Sequence, residues 1–383
     1  MKAPSNTAAV KNAPSPDGPS PDGPSPDNPA AATRRSAPPV PPGTRLLALG
    51  GRSVLVPVRP LLGCTALLLA VVAVTAVCLA VGETDLDPVT ALRAAFGDGT
   101  ARDVLLVEKL RLPRVEAALA VGAALGVAGC LMQTLAQNRL ATPDTVGFNE
   151  GATAFAVASV TGVATQLLPS AAALVGAATA ASLAFALGGG AGRNGYRFLV
   201  VGLGIGAVFG AVTNLMLSRA AVDAANSAFA WTVGTLNSRD ADAVGHLRLG
   251  LLVCLPAAVL LGRRLSLLRF SDAVATGLGV RVRGLRVGVL VVAVVCAGLA
   301  VAVAGPLGMI ALAAPEAARR IAGPRCVPVL TSAAAGAVFT LLADLIGRTV
   351  LSPLEVPAGL VTAVVGGPYL LWLLLTTRPR RTA

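Results

Sequence analysis

Arg111-Leu-Pro-Arg114 opens the segment that decides the fold. It is followed by about 20 mostly apolar residues, the length that spans a bilayer as a helix, and then by Gln133, Asn138-Arg-Leu-Ala-Thr-Pro143, Gly147 and Gly151-Ala152. The apolar run is rich in Gly and Ala. Two arginines stand at its mouth and a polar turn with Asn and Pro at its other end. Backbone can leave helical pairing only near the membrane surface or inside protein. The segment therefore reads as a membrane span with a functional group at each face.

Composition extends that reading to the whole chain. It is 55% hydrophobic and 13% charged, with a mean hydropathy of +0.74, outside the range of soluble domains. The reading is an all-α, polytopic membrane protein. Aromatics make up only 3%; small residues let helix backbones approach closely where lipid offers no hydrophobic drive. The net charge of +12 comes from arginines in short loops beside apolar runs. That is the positive-inside pattern, so no nucleic-acid partner is expected. The six cysteines form no Cys-x-x-Cys pair, and His246 is the single histidine. Zinc sites, His clusters and most His-dependent catalysis lose their support. No Gly-x-x-x-x-Gly-Lys-Ser/Thr stretch occurs, so the chain is not itself a P-loop ATPase.

Residues 1–60 read as a disordered Pro/Ser/Asp/Gly-rich and basic cytoplasmic tail. Ser15-Pro-Asp-Gly and its repeats cannot bury apolar surface, and Arg34, Arg35, Arg45, Arg52 and Arg59 precede the first span. A transmembrane domain over residues 61–377 follows, then a basic cytoplasmic tail, 378–383. Ten spans are predicted, at about 61–82, 114–136, 148–168, 170–189, 198–218, 244–262, 287–304, 307–322, 328–347 and 357–376. This places both termini in the cytoplasm. The loop with Arg263, Arg264, Arg269, Arg281, Arg283 and Arg286 is then cytoplasmic, while Arg111, Arg114 and Arg348 fall outside, against the charge bias.

The motifs resemble the FecCD family, the permeases of bacterial ATP-driven importers for iron–siderophores, haem and cobalamin. The blocks that carry the likeness are Arg111-Leu-Pro-Arg114, Asn138-Arg-Leu-Ala with Pro143 and Gly147, and Trp231-Thr-Val-Gly234. Asp272 to Val280, Ala304-Gly-Pro-Leu-Gly308, and Glu355-Val-Pro-Ala-Gly359 with Gly366-Gly-Pro-Tyr369 complete the set. Three positions depart from the pattern: Arg139 for Pro, Ser271 for Gly and Glu316 for His. The resemblance implies a BtuC-like (type II) importer permease fold, no catalysis, and no cofactor bound by the chain itself, with ATP used by a partner ATPase dimer. It also implies an extracytoplasmic substrate-binding (lipo)protein and a second permease copy or paralogue, all set in membrane lipid.

Site residues follow from the same likeness. Arg111, Arg114 and Arg348 would dock the binding protein, since guanidinium forks suit carboxylates; Asp344 and Arg348, at i,i+4, could equally pair with each other. Asp272, Ala273, Leu278 and Gly279 would form the ATPase-coupling core, with Ser271 or Asp272 capping a short helix that Gly277-Leu-Gly279 ends. Asn138 reads as an inner gate or a helix C-cap, and Thr213 and Asn214 as pathway residues. Gly202-Leu-Gly-Ile-Gly206 looks nucleotide-like but has no preceding strand. The implied cargo is an iron(III)–siderophore complex, with haem or cobalamin as alternatives within the family. An ion-coupled secondary transporter is the competing class. It expects ionisable residues deep in the spans, whereas Glu116, Glu316 and Asp344 lie near predicted span ends.

Overall fold

The computed structural model describes residues 44–49, 52–82, 84, 86–163, 167–188, 195–237, 240–269, 271–323, 327–352 and 354–376. The Ser-Pro-Asp repeat, Glu83, Asp85, Cys326, Arg378, Arg380 and Arg381 lie outside them. The chain divides into two units, Met1–Val56 and Pro57–Ala383. Strands β1 (Thr44–Leu49) and β2 (Arg52–Pro57) pair in a two-stranded sheet. The sequence reading had placed no element here. The cause is local: two short runs containing Leu and Val flank Gly50-Gly51, a hairpin signal.

The larger unit is helical. Helices α1 (Val58–Ala80), α2 (Pro88–Ala94) and α3 (Ala101–Leu106) lead through a π-helical turn, Val107–Arg111, into α4 (Leu112–Leu135). Then come α5 (Phe148–Val160), α6 (Pro169–Leu187), α7 (Gly195–Arg219), α8 (Val222–Val233), α9 (Ala241–Leu265) and α10 (Asp272–Gly277). Four more follow: α11 (Val282–Ala304), α12 (Gly308–Ala322), α13 (Val329–Thr349) and α14 (Ala358–Thr376). Each of the ten predicted spans coincides with one of these helices. Among the described residues, seven helices are long and apolar enough to cross a membrane; α5, α12 and the apolar part of α14 are shorter.

Helix α4 is the centre of the molecule, packed against α13, α11, α12 and α9, while α5 packs on α6 and α7. Small residues set the closest contact. A β-carbon at Gly122 would overlap the backbone of Gly336, and one at Gly126 the backbone of Ser332. The Gly122-x-x-x-Gly126 pair thus brings α4 and α13 to backbone contact, the role small residues take in lipid. Pro113 explains the π turn at the helix entry. It lacks an N–H and its ring crowds the carbonyl four residues back, and a widened turn relieves that crowding.

Candidate functional site

The candidate site has two ends, joined by α4. At the entry of α4, the three arginines singled out from the sequence line one depression of about 480 Å3, with Lys109, Asn237, Ser352 and Glu355. The fold brings them together but also engages each one internally. Arg111 is 6% exposed. Its Nη1 donates to the carbonyls of Leu79 (2.6 Å) and Ala80 (2.8 Å), and its Nη2 to Thr84 O. These are the last carbonyls of α1 and its following loop, so the guanidinium caps the negative end of a helix.

Arg114 bridges two acids. Its Nε lies 3.0 Å from both Asp344 carboxylate oxygens, and its Nη1 3.0 Å from Glu355 Oε1. Arg348 donates from Nη2 to Cys78 O at 2.6 Å and lies 4.0 Å from Asp344 Oδ2. The i,i+4 pairing foreseen for Asp344 and Arg348 is therefore the longer contact; Asp344 is chiefly Arg114's partner. Lys109, on the same rim, is exposed. Sequence reasoning missed it, although it sits two residues before Arg111.

At the other end of α4 the chain turns at Gln137, which has a φ of 49°. Asn138 does not take the left-handed cap position. Instead its Oδ1 accepts from Leu140 N at 2.9 Å, an Asx turn. Gln137 Nε2 donates to Leu268 O at 2.8 Å, tying the turn to the stretch between α9 and α10. Gln133 Nε2 donates to Leu312 O at 3.2 Å. Asp144, however, lies against Gly308, four residues earlier on α12. At 1.5 Å per residue that is about 6 Å deeper than Gln133.

Residues 141–147 therefore run back into the body, packed chiefly on α7, and α5 starts inside the body. This explains its 13 residues. Such irregular backbone is tolerated at membrane depth only when protein covers it. Here Thr142 and Thr145 exchange hydrogen bonds, Asn149 Nδ2 donates to Asp144 Oδ1, and Ala141, Val146 and Phe148 are buried. The glycines dismissed as nucleotide-like find their use here. A β-carbon at Gly202 would lie 2.6 Å from Val146 Cα, and Gly147, with φ of 76°, packs on Gly206. Thr213 is buried and bonds the Phe209 carbonyl of its own helix, 2.9 Å away; Asn214 is exposed on α7. Neither joins the turn at Asn138.

Two departures from the family pattern meet at this end. Glu316, 4% exposed in its side chain, accepts from Arg139 at 3.2 Å and from Arg319 and Arg320 at 3.4 Å each. Arg319 also donates to Gln133 Oε1. The Arg in place of Pro therefore pairs with the Glu in place of His.

Helix α10 packs on the stretch that follows α9 and on the start of α11. Ser271 Oγ accepts from Val274 N at 3.2 Å, the expected N-cap, and Gly279 closes the helix at φ of 81°. Asp272 pairs with Arg286 at 2.9 Å. Ala273, Leu278 and Gly279 are exposed, as is Val274.

A third junction joins motif blocks that are far apart in sequence. Thr235 N donates to Ala304 O at 2.8 Å and Gly359 N to Gly234 O at 3.0 Å. The Trp231–Gly234, Ala304–Gly308 and Glu355–Gly359 blocks are therefore one structural knot that holds α8, α11 and α14 together.

Among the described residues, a helical bundle with seven helices long and apolar enough to cross a membrane has the architecture of a polytopic membrane protein. Residues 67–376 match the FecCD transport family, and the chain belongs to it. It is 37% identical over 316 residues to the achromobactin transport system permease protein of Dickeya dadantii, covering 81% of this chain and 90% of that one. It is 36% identical over 295 residues to the ferric enterobactin transport system permease protein of Escherichia coli (77% and 89%). The fold matches a solved metal-chelate type ABC transporter in an inward-facing conformation with a TM-score of 0.72, at 22% identity, covering 83% of this chain and all of that one.

Proposed function

We propose that the chain forms the path of an ATP-driven importer that carries an iron(III)–siderophore complex across the cytoplasmic membrane. Both termini lie in the cytoplasm in this reading. The cargo rests on relatives named for achromobactin and ferric enterobactin transport. The observation that carries the mechanism is the opposed placement of the arginine depression and α10 at the two ends of α4.

A loaded extracytoplasmic binding protein settles on the depression lined by Arg111, Arg114 and Arg348, and the exposed Lys109 presents positive charge at its rim. Charge complementarity there speeds docking and fixes its register. Arg111 supports this surface from below by fixing α1. On the opposite side a short apolar helix, α10, fits a cleft in the ATPase dimer. ATP-driven closure of that dimer moves α10, and through Gln137–Leu268 the turn at the end of α4. The re-entrant stretch 141–147 then lies where an inner gate must open. A second permease, identical or paralogous, supplies the other wall of the path.

The test is uptake of radiolabelled iron–siderophore by cells lacking the gene. The wild type restores uptake, whereas Lys109→Glu reaches the membrane in normal amount and restores little. Unchanged uptake of every siderophore after deletion overturns the cargo, and haem uptake is then the next assay. Full rescue by Lys109→Glu overturns the docking face.

A further inference from the structure

Two features on the α12–α13–α14 side take no part in the reading above. The first is an apolar groove of about 300 Å3 lined by Met309, Ala313, Phe339, Leu342, Val365 and Tyr369, among others. It opens outward: Leu342 is 37% and Val365 60% exposed. Along α14 its lining runs from Val361 to Tyr369, about 12 Å at 1.5 Å per residue.

The second feature begins one turn further along α14. The Arg320 guanidinium carbon lies 4.5 Å from the centre of the Trp372 ring, and Trp372 stands 6.0 Å from Tyr369 between ring centres. Tyr369 thus belongs to the groove and touches the cationic end. Arg139, Arg319 and Arg320 share Glu316 as their paired acid among the described residues. Three cations against one carboxylate leave an excess of two positive charges. The Arg139 and Arg320 side chains are 57% and 42% exposed.

We propose that this sector is a binding site for one anionic phospholipid. The phosphate sits on Arg320 and Arg139, and an acyl chain lies in the groove along α14. Only an amphipathic anion satisfies both halves at once. A small soluble anion leaves the groove empty, and a neutral lipid leaves the excess charge unmet. Guanidinium forks match phosphate oxygens. Trp and Tyr settle at headgroup level, and basic pockets between helices bind anionic headgroups. Glu316 keeps Arg319 and Arg320 in position and cancels one positive charge of the three.

The site needs the membrane reading but not the proposed cargo, so its test is independent of uptake. Full-length protein, purified in detergent, is titrated with palmitoyl-oleoyl phosphatidylglycerol or phosphatidylcholine and weighed by native mass spectrometry. One phosphatidylglycerol is retained preferentially, by about fivefold for each of the two exposed arginines. Arg320→Gln lowers that retention about fivefold, and Val365→Trp, which fills the groove, abolishes it. Wild-type protein irradiated with a diazirine-tailed phosphatidylglycerol carries the label on residues 358–376, a readout that needs no variant.

Equal retention of the two lipids overturns the site, as does retention indifferent to Arg320→Gln. Complete displacement by inorganic phosphate reduces it to a small-anion site and overturns the lipid. A lipid-free dimer that Val365→Trp dissociates assigns the groove to a subunit contact instead.

Discussion

The two ends of α4 use arginine in opposite ways. At the entry, Arg111, Arg114 and Arg348 are drawn into the protein and bonded to carbonyls and to Asp344 and Glu355. At the exit, Arg139 and Arg320 keep much of their surface in the open while sharing one buried acid. An arginine that breaks the charge bias is therefore not free for a partner by that fact alone. At the entry, charge first holds helices together; at the exit, charge is displayed.

Removing a charge partner at the entry should hurt most. Among the described residues, Asp344→Ala leaves Arg114 with Glu355 alone and Arg348 with the Cys78 carbonyl alone, and breaking a buried pair costs about 3–5 kcal/mol, of which Glu355 should retain part. The measurement is thermal unfolding of the purified protein in detergent. The double variant Arg114→Ala/Asp344→Ala should recover part of the loss, because the Arg114 guanidinium no longer lies beside the site of its lost acid, while Arg348 keeps its bond to Cys78 O. A double variant as unstable as the sum of the singles would refute the internal role. Arg111→Ala comes next. It frees the carbonyls of Leu79, Ala80 and Thr84 and should cost about 3 kcal/mol, the upper range for hydrogen bonds to a charged group. Arg111→Lys should recover little, since a point charge cannot reach three carbonyls as a planar fork does.

The fold was legible in the chain because membrane helices announce themselves by length and composition. All ten spans have a helix, and the Ser271 cap and the Gly279 stop stand where the sequence puts them. What was hidden is long-range. Arg139 and Glu316 lie 177 positions apart, and no local pattern pairs them; the one clue was that both depart from the family motif. The re-entrant stretch 141–147 was also hidden, since its polarity matches an ordinary surface turn. Its signature was Gly202 and Gly206 on α7, whose purpose only the approach of Val146 and Gly147 explains; the shortness of α5 shows only in the structure. The entry arginines do line one depression, but burial cannot be read from residue type.

At the exit the same truncation should cost much less. In Arg139→Ala the buried Glu316 still has Arg319 and Arg320, so no unpaired ion is left, and losing a partner that is itself half in solvent should cost about 1 kcal/mol. Thermal unfolding should shift slightly. A loss as large as that of Arg111→Ala would erase the contrast between the two ends.

The sharpest form of the contrast is a change that leaves stability alone and removes function. Leu278 is 62% exposed at the end of α10, and of the six residues in that helix only Ala275 is buried. Leu278→Asp removes no internal packing, so unfolding should stay within about 0.5 kcal/mol of wild type, as for surface substitutions generally. If α10 seats in an apolar cleft of the ATPase, the new carboxylate must be buried without a partner there, and such burial is costly. Co-purification of the ATPase with the permease should fall at least tenfold, since about 1.4 kcal/mol corresponds to that factor, and iron–siderophore uptake should fall with it. Retained co-purification and uptake would show that α10 is an ordinary solvated loop helix. Lost uptake with the ATPase still bound would place the contact elsewhere and leave Leu278 a role in transmitting the motion.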